Sequence, residues 1–144
     1  MKKIYTVLLT LFLCNCAVTH DARQRGSIDK SDKSVILYQG ANDRKTLNLI
    51  KDYLYDSGFK VIISRGDIKE VNKKYGAIFK TERTPRYSMT VSSSHWKTMP
   101  MCFTGINYDI EIVDNTTGRE VISLGGTSCG REEIIKNLAN AVSS

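Results

Sequence analysis

The sequence lacks any apolar run long enough to cross a membrane as a helix. The apolar stretch near its start, residues 4–13, has ten residues, whereas a helix needs roughly 20 to span a hydrocarbon core of about 30 Å. A basic pair, Lys2 and Lys3, precedes this stretch. A short basic segment followed by a brief apolar one is typical of a secretory signal peptide. We therefore predict that residues 1–15 are a signal peptide that is removed.

Histidine is scarce, and the motifs of metal and nucleotide chemistry are absent. The chain has two histidines, His20 and His95, whereas a zinc site takes three or four protein ligands. It also lacks the glycine patterns that hold phosphates and the serine elbow of hydrolases. We predict no metal and no cofactor, and a protein that is not an enzyme. One alternative stays open, in which Cys102, His95 and Asp109 form a nucleophile set.

No cluster of positive charge is present either. The formal net charge of the chain is +6, and it falls to about +4 once Lys2 and Lys3 are removed. This excess is spread along the chain, without the basic run or aromatic-interleaved basic motif that marks nucleic-acid binding. We therefore expect no nucleic-acid partner.

The residues that follow the apolar stretch resemble the lipobox of bacterial lipoproteins. In that motif a leucine lies three residues before a cysteine that is diacylated and becomes the new N-terminus, as Leu13 lies before Cys16. Cys14 has Leu11 at the same spacing and remains an alternative. The resemblance implies an acyl (palmitate-type) anchor on Cys16, which multiple chains make stable. Ala17, in place of an aspartate, implies a protein of the outer membrane that faces the periplasm.

The composition divides the mature chain into a tether and one domain. Residues 19–34 hold a single large apolar side chain, Ile28, among many charged and small polar ones. Such a composition buries too little surface to offset the entropy of ordering. We predict a lipidated N-terminus and flexible tether over 16–34, of which the sixteen residues 19–34 span at most ~50–60 Å when extended. Residues 35–144 then form a single domain.

The periodicity of this domain predicts a βαβ unit. Residues 35–38 are a short apolar run typical of a buried strand. Over 44–57, Leu47, Ile50 and Leu54 fall on one helical face, and Gly58 suits the left-handed residue that ends a helix. Residues 59–63 read as a second strand. A strand, helix and strand within about thirty residues favour parallel pairing.

The second half of the domain predicts antiparallel strands and a closing helix. Alternating residues indicate strands at 87–92 and 106–113, followed by a hairpin turn at 114–118. A returning strand over 121–124 is expected to break at Gly125 and Gly126. A short helix at 68–74, a strand at 77–80 and a final helix at 131–142 complete the elements.

The predicted fold is α+β. It has a mixed β-sheet with an N-terminal βαβ unit, a C-terminal antiparallel hairpin and two main helices packed mostly on one face. This order of elements resembles the small α/β domains of uncharacterised or accessory outer-membrane lipoproteins of Gram-negative bacteria. The resemblance is one of pattern, and it assigns no role to any residue.

Two further features bear on interactions and redox state. His95, Trp96, Met99 and Met101 cluster in an expected loop over 92–101, and tryptophan and methionine are favoured at recognition surfaces. We expect Trp96 to pack onto the sheet, and the alternative is that these four residues form a partner-contact loop. Cys102 and Cys129 lie on the two arms of the predicted hairpin, so we predict a disulfide between them outside the cytoplasm.

Together these patterns predict a lipid-anchored periplasmic protein of the outer membrane. It is expected to act as a non-enzymatic binding or accessory module for another envelope protein. An exclusion or immunity lipoprotein belongs to the same class. The alternative from a different class is a small envelope hydrolase that acts on cell wall or lipid.

Overall fold

A computed structural model describes residues 19–39, 43–64, 85–99 and 102–144, and gives the backbone alone for 96–99 and 102–104. Within these ranges the chain forms six strands and two helices. In chain order they are β1 (Thr19–Gln24), β2 (Ser34–Gln39), α1 (Arg44–Asp56), β3 (Lys60–Ser64), β4 (Tyr87–Met99), β5 (Cys102–Asp114), β6 (Arg119–Ser128) and α2 (Arg131–Ser143).

Some predicted elements fall elsewhere in the chain. The signal peptide, the lipidated cysteine, the short helix at 68–74 and the strand at 77–80 lie outside the described residues. Neither of the two described helices is long and apolar enough to span a bilayer.

The strands form one mixed sheet with the order β1-β6-β5-β4-β2-β3. Strand β2 pairs in parallel with β3 on one side and with β4 on the other. The remaining pairs, β4–β5, β5–β6 and β1–β6, are antiparallel. The predicted α+β class, the parallel βαβ unit and the C-terminal hairpin are confirmed.

The core lies between the sheet and the two helices. From α1 it takes Leu47, Ile50 and Leu54, and from α2 it takes Ile134 and Leu138. The sheet supplies alternating residues of its central strands: Val35, Leu37, Tyr87, Met89, Val91, Ile106, Tyr108, Ile110, Ile112, Ile122 and Leu124. This cluster explains why the helix-period and strand-period patterns were both readable, because the two helices and strands β4 and β5 each bury one face.

The ends of α1 are specified locally. Asp43 caps its N-terminus by accepting hydrogen bonds from the Thr46 amide at 3.1 Å and the Thr46 hydroxyl at 2.8 Å. Capping side chains satisfy amides that the first turn leaves without a helical partner. At the other end Gly58 has φ of 80°, the left-handed conformation that glycine adopts at least cost. The Gly58 signal was present in the sequence, and α1 ends one residue before the predicted end of the helix over 44–57.

Strand β6 is longer than predicted. We expected Gly125 and Gly126 to end it, but it continues through both to Ser128. A β-carbon added to Gly126 would collide with the carbonyl oxygen of Thr19 on β1. The glycine therefore does not break the strand. It leaves room for the backbone of a neighbouring strand to approach.

Strand β4 corrects the expected loop over 92–101. It extends to Met99, and its backbone pairs with β5 from Tyr87 opposite Asp114 to Met99 opposite Cys102. After Val91 the strand contains serine, threonine and histidine, so the alternation of apolar residues ends there. The backbone pairing of β4 with β5 nevertheless continues. Paired backbone groups, rather than burial of side chains, hold the extension.

Strand β1 corrects the expected tether. Residues 19–24 pair antiparallel with β6, from Thr19 opposite Thr127 to Gln24 opposite Ile122. All six side chains are exposed, which is why composition predicted no structure there. Ile28, the one large apolar residue of this region, is only 7% exposed and joins the core. Residues 19–28 are thus part of the folded body.

Candidate functional site

A polar cluster joins β1 to the rest of the body. It consists of His20 on β1, Tyr108 on β5, Ser128 on β6, and Glu133 and Asn137 on α2, and we call it the His20 cluster. His20 Nδ1 lies 2.8 Å from the Tyr108 hydroxyl, and His20 Nε2 lies 3.0 Å from Glu133 Oε1. These contacts bridge 88 and 113 residues of sequence.

The partners of His20 fix its protonated nitrogen. A carboxylate can only accept, so Nε2 donates its proton to Glu133. Asn137 Nδ2 lies 3.0 Å from Nδ1 and 3.3 Å from the Tyr108 hydroxyl, and an amide nitrogen can only donate. Nδ1 therefore accepts in this arrangement. Every nitrogen of the ring has a partner, which is the condition for a rotamer held in place.

The ionisation of the neighbours supports the same assignment. Hydrogen bonds from His20 and Ser128 lower the pKa of Glu133, against partial burial, so its carboxylate is charged near neutral pH. Burial raises the pKa of Tyr108, and the nearby Glu133 charge adds to the increase while Asn137 opposes it. Tyr108 therefore keeps its proton and can donate a hydrogen bond.

A cleft of about 280 Å³ opens beside this cluster. Its polar wall contains His20, Tyr108, Asn137 and Asn140, and its floor includes Leu124. The hydroxyl nearest to Glu133, that of Ser128, lies 2.8 Å from Glu133 Oε2 and is completely buried. The cluster therefore supplies hydrogen-bond donors and acceptors at the β1–α2 junction. Among the described residues of this cluster, no hydroxyl is both exposed and adjacent to a base, as the nucleophile of an enzyme would be.

A second cluster lies where the two helices begin. Asp43 Oδ2 accepts a 2.7 Å hydrogen bond from Arg131 Nε, so the N-terminus of α1 is bound to the first residue of α2. Burial would raise the pKa of Asp43, but the hydrogen bonds from Arg131 and Thr46 outweigh it and hold that pKa far below its ordinary range. This carboxylate is charged at every physiological pH.

His95 joins this second cluster. Its Nε2 lies 2.8 Å from Arg131 Nη2 and 3.7 Å from Asp43 Oδ2. A guanidinium can only donate, so Nε2 accepts. His95 is thus bound by Arg131, and its 3.7 Å approach to Asp43 is too long for a hydrogen bond.

The sheet register separates the predicted Cys102, His95 and Asp109 set. His95 pairs with Ile106 and therefore shares the helix-covered face of the sheet. Asp109 pairs with Ser92 on the opposite face, where it is exposed. A histidine and an aspartate on opposite faces do not hydrogen-bond, so His95 and Asp109 do not act as a pair.

The other predicted site residues lie on or next to strands β4 to β6, or outside the described residues. Trp96 and Met99 belong to the backbone of β4, while Met101 and Cys16 lie outside the described residues. Cys102 begins β5 and Cys129 directly follows β6, so the backbone places both at the open end of that hairpin. The pairing of the two cysteines stays a prediction.

In the described ranges, no group of three or more histidine, cysteine, aspartate or glutamate side chains is arranged to hold a metal ion.

The sequence did not predict the His20 cluster because its members come from four elements. Glu133 and Asn137 do fall four residues apart on α2, the spacing of one helical face, and that was the single local signal available.

The outer edge of β3 carries exposed apolar side chains. Ile62 and Ile63 are each 37% exposed although they point to opposite faces of the sheet. Tyr55, near the end of the preceding helix α1, is 52% exposed. Among the described strands β3 pairs with β2 alone. We call Tyr55, Ile62 and Ile63 the β3 edge.

Comparison with solved structures identifies similar folds. A variant of the PelC dodecamer from Paraburkholderia phytofirmans aligns with a TM-score of 0.59 at 15% identity, covering 88% of this chain and 96% of that one. A second PelC dodecamer from that organism gives 0.56 at 17% identity, with coverages of 86% and 94%. Lipoprotein GNA1162 from Neisseria meningitidis gives 0.47 at 11% identity, with coverages of 78% and 97%.

Sequence comparison adds no family to these folds. No protein-family model matches the chain, and no curated protein matches its sequence. At the identities observed, the likeness to PelC concerns the fold. The chain therefore shares with PelC an architecture that extends over nearly the whole length of both.

Proposed function

We propose that this chain is a lipid-anchored protein of the bacterial outer membrane. It faces the periplasm and works by binding another envelope protein. The anchor is proposed from the lipobox-like residues before Cys16, and the outer-membrane location from Ala17. The proposed activity is binding rather than catalysis.

The observation that carries the binding proposal is the β3 edge. An edge strand presents unpaired backbone groups, and proteins commonly protect such strands with charge or short length. Here Ile62 and Ile63 expose apolar surface on both faces beside the exposed Tyr55. Exposed apolar surface at a strand edge is the kind of feature that marks a protein-binding site.

The similar solved structures indicate which partners to test first. PelC is a dodecamer in both structures, so a second copy of this chain is one partner of the proposed class. A different envelope protein is the other, and an exclusion or immunity role would be an example of it.

We also propose the Cys102–Cys129 disulfide. Its support is the position of both residues at the open end of the β5–β6 hairpin, together with the oxidising compartment that a lipid-anchored periplasmic location implies. Thiol labelling of the denatured, unreduced protein should leave both cysteines unmodified. Labelling of both would remove this proposal without affecting the anchor.

The binding proposal is tested by crosslinking in intact cells through a photoreactive residue at position 62. With the photoreactive residue at position 62, we expect a discrete crosslinked product of fixed stoichiometry. With that residue at position 55 instead, the double change Ile62→Asp, Ile63→Asp should abolish the product. The matched control is Thr117→Asp in the exposed β5–β6 turn, which should leave the product unchanged. No product, or a product insensitive to the double change, would contradict binding through the β3 edge.

The hydrolase alternative makes a different prediction. Turnover of a cell-wall or lipid substrate by the purified protein, lost in Cys102→Ala or His95→Ala, would replace the binding proposal. We expect no such turnover, because His95 is held by Arg131 at 2.8 Å and Asp109 lies on the other face of the sheet.

A further inference from the structure

The start of β1 limits how far the folded body can lie from the lipid anchor. Cys16 precedes Thr19, the first residue of β1, by three residues. Three residues reach at most ~11 Å when fully extended. A flexible tether over 16–34, as the composition predicts, would instead reach ~60–70 Å. Docking of β1 therefore shortens the connection to about a sixth of that length.

The docking of β1 is built into two other elements. Gly126 on β6 has φ of 152° and lies so close to β1 that any β-carbon would collide with the Thr19 carbonyl. His20 binds Tyr108 and Glu133 from the next position of the same strand. The first two residues of β1 are thus the most firmly held, and they are the two nearest to the anchor.

The topology determines which end of the molecule carries the anchor. Thr19 pairs with Thr127 near the end of β6, and Ile106 near the start of β5 pairs with Ser128. Strand β2 ends at Gln39 opposite Val91, whereas β4 and β5 continue in the same direction to Met99 and Cys102, beyond the level of Thr19. Both helices begin here, as the contact of Asp43 with Arg131 shows. We call this the anchor end, defined by Thr19, Arg44, Lys45, Leu49 and Arg131.

We propose that the anchor end lies against the lipid headgroups of the bilayer, so that the body is held in one orientation with the β5–β6 turn pointing away. This inference rests on the proposed lipidation of Cys16. The short connection holds the anchor end, and the end of the β4–β5 hairpin beside it, on the side of the body that faces the membrane.

The chemistry of the anchor end suits a headgroup layer. Arg44 and Lys45 are exposed at the start of α1. Asp43, the nearest carboxylate, is already bound by Arg131, while Glu132 is an exposed negative charge that offsets part of the basic character. A groove of about 650 Å³ between the starts of the two helices is lined by Lys45, Leu49, Arg131 and Glu132. Leu49 is 38% exposed there, so cations flank an apolar contact as at membrane interfaces.

The opposite end is well separated. Strand β6 has ten residues between the β5–β6 turn and the anchor end, which at 3.2–3.4 Å per residue corresponds to about 30 Å. The two ends can therefore be distinguished by any probe whose signal decays over that distance.

The test uses the full-length protein purified from membranes with its native lipid. A fluorophore is attached at position 45 or at position 117, and the protein is inserted into vesicles of phosphatidylethanolamine and phosphatidylglycerol that carry a nitroxide-headgroup lipid. We expect quenching at position 45 to exceed quenching at position 117 several-fold. The Gly126→Ala change should release β1 and remove that difference. Gly130→Ala, where an added β-carbon meets open space, should preserve it.

The outcomes separate this inference from the proposed function. Membrane-bound, lipidated protein quenched equally at the two positions, or more strongly at position 117, would overturn the fixed orientation and leave the anchor in place. Protein without acyl chains would overturn the anchor and the orientation together. If Gly126→Ala fails to fold, His20→Ala is the second variant, and it should reduce the difference between the positions.

Discussion

The two edge strands of the sheet are held by different physics. Strand β3 follows α1 directly and pairs with β2, and its apolar residues could be recognised in the sequence. Strand β1 contains no large apolar side chain, and all six of its residues are exposed. It stays in place through a backbone ladder, through the space left by Gly126 and through the contacts of His20.

The comparison shows that a strand can form although its own residues do not predict one. A polar segment that cannot bury apolar surface is expected to remain disordered, yet β1 is ordered by features that other elements supply. The β3 edge shows the converse, because its apolar side chains encode a strand and remain exposed as a surface for a partner. Strand β1 is thus specified by residues of other elements, and strand β3 by its own apolar side chains.

The largest expected effect comes from the core that both edges share. Ile110 at the centre of β5 is completely buried, so Ile110→Ala should lower the free energy of unfolding by about 3–4 kcal/mol. Urea unfolding measures this loss, and hydrogen exchange should then show faster exchange at both edges. The neighbouring exposed Glu111→Ala should change stability by less than about 0.5 kcal/mol. A small effect of Ile110→Ala would contradict the single shared core.

Gly126→Ala should separate the two edges. The added β-carbon collides with the backbone of Thr19, so β1 is expected to detach while the core cluster, which contains no β1 residue, stays folded. Hydrogen exchange should show loss of protection over residues 19–24 and unchanged protection in β3. Retained protection at residues 19–24 would show that β6 can shift to accept the side chain.

Asp43→Ala should weaken the junction of the two helices. It removes the cap of α1 and leaves Arg131 without its carboxylate, at an expected cost of about 2 kcal/mol. The matched control is Asp52→Ala, an exposed carboxylate in the same helix, which should cost less than about 0.5 kcal/mol. Equal effects of the two changes in urea unfolding would remove the special role of Asp43.

One carboxylate of this junction and one of the His20 cluster should make stability depend on pH. The folded state lowers the pKa of Asp43 and of Glu133 below their ordinary values of 3.8 and 4.5. Their contribution is complete above those values and is lost as the pH falls toward the folded-state pKa values, because the unfolded chain binds protons first. Urea unfolding from pH 7 to pH 3 should show falling stability, with a shallower fall in Asp43→Asn. An identical slope in that variant would contradict the assignment.

The smallest expected effect belongs to His20→Ala. Loss of the hydrogen bonds to Tyr108 and Glu133 should weaken β1 by about 1 kcal/mol and leave the β3 edge unchanged. Faster amide exchange confined to residues near position 20 is the expected result. Arg23→Ala serves as the control, because its 3.4 Å ion pair with Asp21 is exposed and contributes little.

The elements with one buried face could be predicted from the sequence. The βαβ unit, the β5–β6 hairpin and α2 all show the period of their structure, and Gly58 marks the end of α1. These signals are local, so one sequence is sufficient to read them.

The missed features depend on residues far apart in the chain. Strand β1 needs β6, about a hundred residues later, and the continuation of β4 needs the ladder of β5. Gly125 and Gly126 favoured a break because the sequence gives no sign of the strand that packs against them. The His20 cluster required the same pairing, since His20 reaches Tyr108 and Glu133 only when β1 is docked.

The most direct measurement is the mass of the N-terminal peptide from protein isolated with the membrane fraction. The account predicts a chain that begins at Cys16 and carries a diacylglyceryl group and an additional acyl chain. A peptide that begins at Met1 without acyl groups would contradict the anchor, and with it the proposed location and the orientation of the body.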